Sequence, residues 1–213
     1  MSRSPSLCGV ILAAGASTRM GTDKALLPWP PLAPSEPAVG QTFLSTAIRS
    51  LSLYTDAVII VGGENAPRLT PVVYAHGAYL VKNPAPERGQ FSSLQVGLQE
   101  VLNRGRDSAV VTLVDRPPAR LATIEKLREM FSAAPNEIWA VVPEYGGKHG
   151  HPYVVARELI EIFLKAPPTA TAREIEHQYQ QHIRYLVVDD PFVTTNIDTP
   201  QEYAALQNQS AVR

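Results

Sequence analysis

The chain reads as an α/β protein with a mostly parallel sheet, and three observations carry that prediction. Short continuous apolar runs at 7–14, 109–114 and 138–142 have the length and branching of strands buried on both faces. Segments of helical spacing stand between such runs, and the alternation continues along the chain. Several runs stop abruptly, at Gly15, Gly62-Gly63, Asn83-Pro84 and Asp115. In an open parallel sheet, ligands gather beyond such C-terminal strand ends.

Taken in order, strand 7–14 breaks at Gly15 into a loop of Ala, Ser, Thr and Gly. Residues 28–37 hold five prolines in ten positions, which forbids a helix or a central strand, so 28–40 is a rigid loop. Residues 42–53 carry apolar side chains at 43, 44, 47, 48 and 51 and form a helix, followed by strand 56–61. A short strand at 78–81 leads to a helix over 90–102. Strand 109–114, helix 124–131 and strand 138–142 follow. The last third holds strand 153–155, helices 158–164 and 172–181, and strand 183–188. Pro200 marks the first turn of a closing helix that runs to about 207, with a frayed tail beyond it.

Composition narrows the function classes. The 213 residues suit a single domain spanning 1–213, and 45% hydrophobic with 18% charged residues describes a globular chain. A net charge of −1 with no basic block excludes a broad nucleic-acid footprint, so any bound anion must meet a local cluster. The single Cys8 lies within the first strand and reads as a core residue, and no intrachain disulfide is possible. The N-terminal MSRSPS is too short and polar for a signal peptide, and no apolar run approaches the ~18 residues of a membrane span. A cytoplasmic enzyme is the resulting expectation.

The strand, the Gly15 loop and the cations Arg19 and Lys24 together predict a phosphate site, where backbone N–H groups and fixed charge converge on one anion. It is not a P-loop, because five residues separate Gly15 from Gly21 and Lys24 comes three later. It is not a dinucleotide fingerprint either, with Ser17 and Met20 where that pattern needs glycines. Asp115, at the end of a strand, could ligate a phosphate-borne Mg²⁺ or cap the helix after Pro117-Pro118. Asp198, just before the Pro200 helix, reads by itself as capping chemistry. Asn83, Ser92 and Ser93 fit a turn and a helix N-cap equally well. His149 and His151 lack a third ligand and make a weak zinc signal, and His76, His177 and His182 read as surface residues.

Residues 12–24, LAAGASTRMGTDK, followed by Leu26-Leu27-Pro28, closely resemble the signature LAAGxSxRMGxxKxLLP of the MobA-like nucleotidyltransferases, which include molybdenum cofactor cytidylyltransferase. Leu113-Val-Asp-Arg-Pro resembles that family's LxLxDQP, with Arg116 in place of Gln. Asn196-Ile-Asp-Thr-Pro-Gln-Glu-Tyr resembles DIDTPEDY. Asn83 with Gly89, Ser92, Ser93 and Leu94 resembles N…GMxSSL, and His149-Gly150-His151-Pro152 resembles RGHP with its Arg lost.

The resemblance implies a Rossmann-like three-layer sandwich of the nucleotide-diphospho-sugar transferase type. It implies that Leu12, Ala13, Ala14, Gly15, Ser17, Arg19, Lys24, Asn83, Ser92 and Ser93 bind an NTP, and that Asp115 and Asp198 hold Mg²⁺. Gly150 and His151 fall on the acceptor side. The implied reaction is attack of an acceptor phosphate on the α-phosphorus of the NTP with release of pyrophosphate, with Arg19, Lys24 and Asp115 central. LAAG, rather than the LAGG of guanylyltransferases, favours CTP with a molybdopterin-type acceptor. A sugar-phosphate acceptor, or a nucleotide-binding accessory role with weak catalysis, is the alternative.

Overall fold

A computed structural model of the chain describes residues 6–31 and 40–210, apart from the side chains of Thr18 and of 207–210. The segment 1–5 that begins the polar N-terminus, positions 32–39 of the proline-rich loop and the last three residues of the tail lie outside the described residues. Among the described residues, no helix is long and apolar enough to cross a membrane.

Among the described residues, eight strands form one sheet: β1 (Leu7–Ala13), β2 (Ala57–Gly62), β3 (Tyr79–Lys82), β4 (Ser108–Leu113), β5 (Ala140–Tyr145), β6 (Lys148–His149), β7 (Tyr153–Ala156) and β8 (Ile183–Val187). The path runs β3-β2-β1-β4-β7-β5, with β8 parallel on the far edge of β5. β1, β2, β3 and β4 pair in parallel, as the continuous apolar runs predict. The exceptions are β6, antiparallel to β5, and β7, antiparallel to both β4 and β5. β7 follows β5 through Gly146-Gly147, both at positive φ, and a turn this tight cannot make the crossover that a parallel neighbour needs. The same turn creates the two-residue strand β6, which sequence reading does not anticipate.

Helices cover both faces, giving the three layers. α1 (Phe43–Ser52), α2 (Ala66–Ala75) and α4 (Leu121–Ala133) pack on the face carrying Leu7, Ile11 and Ala13. α3 (Gln90–Asn103), α5 (Arg157–Lys165) and α6 (Ala172–Gln178) pack on the face of Cys8, Val10 and Leu12. Cys8 is fully buried, and burial raises its thiol above the usual value, as its place in a core strand predicts. Gly97 lets α3 approach closely, since a Cβ there would stand 2.6 Å from Val10 Cγ1.

Sequence reading places no element between 63 and 78, yet α2 fills that interval. Pro67 sits in its first turn, where a missing N–H costs nothing, and Pro71 gives up one bond inside it. Leu69 and Val73, both fully buried, carry the helix through. Two ends are corrected. α6 stops at Gln178, where a separate 3-10 turn, Gln180–His182, takes over, and α7 (Pro200–Ser210) runs past 207.

The root of the proline-rich loop is pinned. Trp29 N–H donates to Gln41 O and Phe43 N–H to Leu27 O, with Pro28 bridged to Thr42. The Trp29 ring meets Phe43 and Phe192 edge-on at 5.0 and 5.6 Å, and Tyr203 of α7 donates its hydroxyl to Pro28 O. Loop root, α1 and α7 thus share one small apolar cluster beside the sheet's C-terminal edge.

Candidate active site

β1 delivers the glycine loop to the C-terminal edge of the sheet between β2 and β4. Gly15 and Ala16 are exposed, and a Cβ at Gly15 would meet nothing within 4 Å. Among the described residues, the N–H groups of Gly15, Ala16 and Ser17 donate to no protein acceptor, which leaves three donors open to an anion. Ser17 holds the left-handed conformation at φ 50, and its Oγ accepts from Lys24 N–H at 3.2 Å. That bond folds the loop back so that Lys24 returns over the strand end.

Lys24 is further placed by residues that sequence reading does not single out. The buried Asp23 accepts from Ala25 N–H and from Asn65 Nδ2, and Asn65 also donates to Ala13 O. Arg68 Nη2 lies 3.4 Å from Asp23 Oδ2. An acidic residue directly before Lys24 is the one sequence signal of this clamp; Asn65 carries none.

Asp115 follows β4 by two residues. Its Oδ1 is buried without a hydrogen-bond partner, and its Oδ2 stands 3.9 Å from Lys24 Nζ. Burial raises the Asp115 carboxyl above its ordinary value, opposed by the charges of Lys24 and Arg116. The capping alternative does not apply. Asp190, which is buried, takes that work at α4, accepting from Arg120 N–H and Thr123 Oγ1 at 2.8 Å.

Asp198 is brought in by the backbone, because Ile197 N–H donates to Asp115 O at 2.9 Å. Lys24 Nζ donates to Asp198 Oδ1 at 2.6 Å, and Arg19 Nη2 is 3.1 Å from the same oxygen. The Lys24 hydrogen bond, together with the charges of Lys24 and Arg19, lowers the Asp198 carboxyl. Capping of α7 falls to its neighbours: Glu202 accepts from the N–H groups of Asp198 and Thr199, and Thr199 Oγ1 accepts from Glu202 N–H. The Asp198 side chain is thereby free for the site.

Four charged side chains from three distant segments therefore meet at one point, two acidic and two basic. Beside them lies a cleft of about 220 Å³ lined by Leu12, Ala14, Gly15, Ser17, Lys24 and Asp115, with Gly89, Gln90 and Ser93 opposite. Ala13 is buried behind it. Asn83 and Ser92 are buried as well, and they form an internal clasp. Asn83 Nδ2 donates to Ser92 Oγ and Ser93 Oγ, while Ser92 Oγ donates to Ala85 O and Gly89 O. Ser93 faces the cleft; Asn83 and Ser92 fix the 85–89 loop that forms its wall.

No group of three or more His, Cys, Asp or Glu side chains able to hold a metal occurs among the described residues. The oxygens of Asp115 and Asp198, with an unpartnered buried Oδ1 among them, nonetheless fit a hard cation whose other ligands are phosphate oxygens and water.

Gly150 and His151 lie one strand away, before β7. A Cβ at Gly150 would stand 2.1 Å from Val193 O, and His151 N–H donates to that oxygen, so glycine is required by close approach. Burial, aided by the Arg116 charge, lowers His151 to about 3 and keeps it neutral, and its Nδ1 is buried without a partner. Arg116 donates Nη1 to Val193 O at 2.6 Å, which ties the end of β4 to the 191–193 turn. The His149 ring stacks on Tyr185 at 3.9 Å. Of the histidines read as surface residues, His182 is the exception, half-buried and stacked on Trp139 at 3.5 Å.

Known proteins bear on this geometry. A probable molybdenum cofactor guanylyltransferase of Rhodopirellula baltica is 30% identical over 63% of this chain, and the match spans 60% of that relative's length. The molybdenum cofactor cytidylyltransferase of Escherichia coli is 24% identical over 91% of this chain and 92% of its own. Among solved structures, Rv0371c of Mycobacterium tuberculosis H37Rv superposes with a TM-score of 0.78 at 26% identity, covering 97% of this chain and 99% of that one. Its complex with manganese superposes with a TM-score of 0.73. The MobA-like NTP transferase domain model matches residues 9–184. With that match spanning most of the sheet and its glycine-loop strand, the chain belongs to the MobA-like NTP transferases.

Proposed function

We propose that the protein transfers an NMP unit from an NTP, with CTP favoured, to a phosphorylated acceptor of the molybdopterin type. The observation that carries this reading is the convergence of Lys24, Arg19, Asp115 and Asp198 beside three open loop N–H donors. In it, the N–H groups of Gly15, Ala16 and Ser17 hold the triphosphate, and Lys24 and Arg19 neutralise it. Both cations now spend their charge on Asp198, so a nucleotide would have to displace that pairing. Asp115 and Asp198 would hold a divalent ion, which when bound supplies Lewis-acid neutralisation of charge building at the α-phosphoryl group. The acceptor phosphate attacks the α-phosphorus and pyrophosphate leaves, a reaction that needs positioning and charge rather than a protein nucleophile. Ser93, held by the Asn83 clasp, faces the nucleoside side of the cleft.

GTP is the second reading, because the Rhodopirellula relative bears the guanylyltransferase name while the Escherichia relative bears the cytidylyltransferase name. A melting-temperature panel of the four NTPs with Mg²⁺, followed by pyrophosphate release with molybdopterin and with sugar phosphates, decides the matter. CTP giving the largest shift and molybdopterin-dependent pyrophosphate is the expected result. A CTP shift with no pyrophosphate from any acceptor would leave a nucleotide-binding accessory protein instead.

A further inference from the structure

Asp198 reaches the site on a strap, residues 190–198, that joins the end of β8 to α7. The strap is anchored first at the buried Asp190, whose carboxylate accepts from Arg120 N–H and Thr123 Oγ1 at the start of α4. Its next two grips come from one dipeptide at the end of β4. Arg116 donates Nη1 to Val193 O at 2.6 Å, and Asp115 O accepts from Ile197 N–H at 2.9 Å. Val193 O also accepts from His151 N–H, so the strap is held at one carbonyl from β4 and from the approach to β7. Val193 and Ile197 are both buried, and Asp198 follows directly.

Arg116 differs from a solvated surface cation. It is half-buried, and its Nε is buried without a hydrogen-bond partner among the described residues. Holding a guanidinium in that place costs desolvation, which a firm contact must offset. Its charge acts on Asp115, its neighbour in the chain. By charge alone, a cation there repels a divalent ion and weakens its binding. As a brace on the strap, it strengthens binding by keeping Asp198 in place. The two effects have opposite signs, so an experiment can tell them apart. The family pattern has Gln at this position, and a Gln amide nitrogen ends where Arg Nε stands, two bonds short of the Nη1 that holds Val193.

We propose that Arg116 is a positioning residue for the carboxylate pair: by holding Val193 it fixes the strap, so that Asp198 stays opposite Asp115. Lys24 Nζ, 2.6 Å from Asp198 Oδ1 and 3.9 Å from Asp115 Oδ2, marks the place where both carboxylates meet one cation. The inference rests on the reading of Asp115 and Asp198 as ligands of a divalent ion. It gives the departure from the family pattern a task in this chain.

Mn²⁺ titrated into the ligand-free protein, with the free ion read by electron paramagnetic resonance, measures the pair without turnover. Arg116→Gln should weaken Mn²⁺ binding about tenfold, although it removes a repelling charge. Arg116→Met, which leaves no polar group to bury, is the second variant and should behave alike. Unchanged or tighter Mn²⁺ binding in the folded variants would overturn the proposal, because a residue that served only stability would lower the melting temperature and leave Mn²⁺ affinity alone. Hydrogen exchange reads the brace without metal. The Ile197 amide should exchange about tenfold faster in the variants, while the amides of β1 keep their wild-type protection. If the wild-type protein takes up no Mn²⁺, the metal reading fails and exchange decides the brace: faster exchange at Ile197 upholds it, and unchanged exchange overturns it.

Discussion

Asp115 and Asp198 carry the same side chain into opposite settings. Burial raises the first, and the Lys24 hydrogen bond lowers the second. An acid whose folded pKa is raised holds its proton longer in the folded state than in the unfolded one. The resulting loss of stability sets in as pH rises above the ordinary 3.8 and is complete once pH has passed the folded value. Asp115→Asn removes that charge, so the ligand-free variant should melt above wild type at pH 7 while pyrophosphate release is abolished; a lower melting temperature would refute the burial argument. Glu176 follows the same sign, from 4.5 to about 7. Glu176→Gln should therefore gain on wild type between pH 4.5 and 7, by on the order of 1–3 kcal/mol, read from urea midpoints at pH 4.5 and pH 8. His151 acts in reverse. Its pKa falls from 6.5 to about 3, so its contribution is full above 6.5 and is lost as pH drops toward 3.

Among the elements, close approach and capping set the site's geometry. Gly97→Ala would drive a methyl into Val10 and Val61, pushing α3 off the sheet at a cost of about 1–3 kcal/mol in chemical denaturation. Thr199→Ala removes the cap that frees Asp198. It should cost about 1 kcal/mol and raise the Mg²⁺ concentration needed for half-maximal rate. Periodicity made most elements legible, because buried parallel strands are nearly pure apolar runs: β1 and β4 fall within a residue of their expected bounds. It failed at α2, where Pro67 and Pro71 argue against a helix that burial of Leu69 and Val73 sustains. It also missed β6 and the reversal of β7, since a turn's consequence for strand direction is topological and leaves no local pattern.

For the whole molecule, the family signature already points to Arg19, Lys24, Asp115 and Asp198, and the fold brings all four within one ion-pair network. What sequence could not expose is the supporting clamp of Asp23 and Asn65, two residues 42 positions apart. It arises from the parallel β1–β2 crossover, which brings the two segments to one sheet edge. The carboxylate pair stands beside the cleft that the glycine loop opens. Pyrophosphate release from NTP and molybdopterin, compared between wild type and Asp115→Asn at equal folded concentration, tests the central claim most directly. Release that requires both acceptor and divalent ion in wild type and vanishes in the variant is the predicted result. An undiminished rate in Asp115→Asn would contradict it.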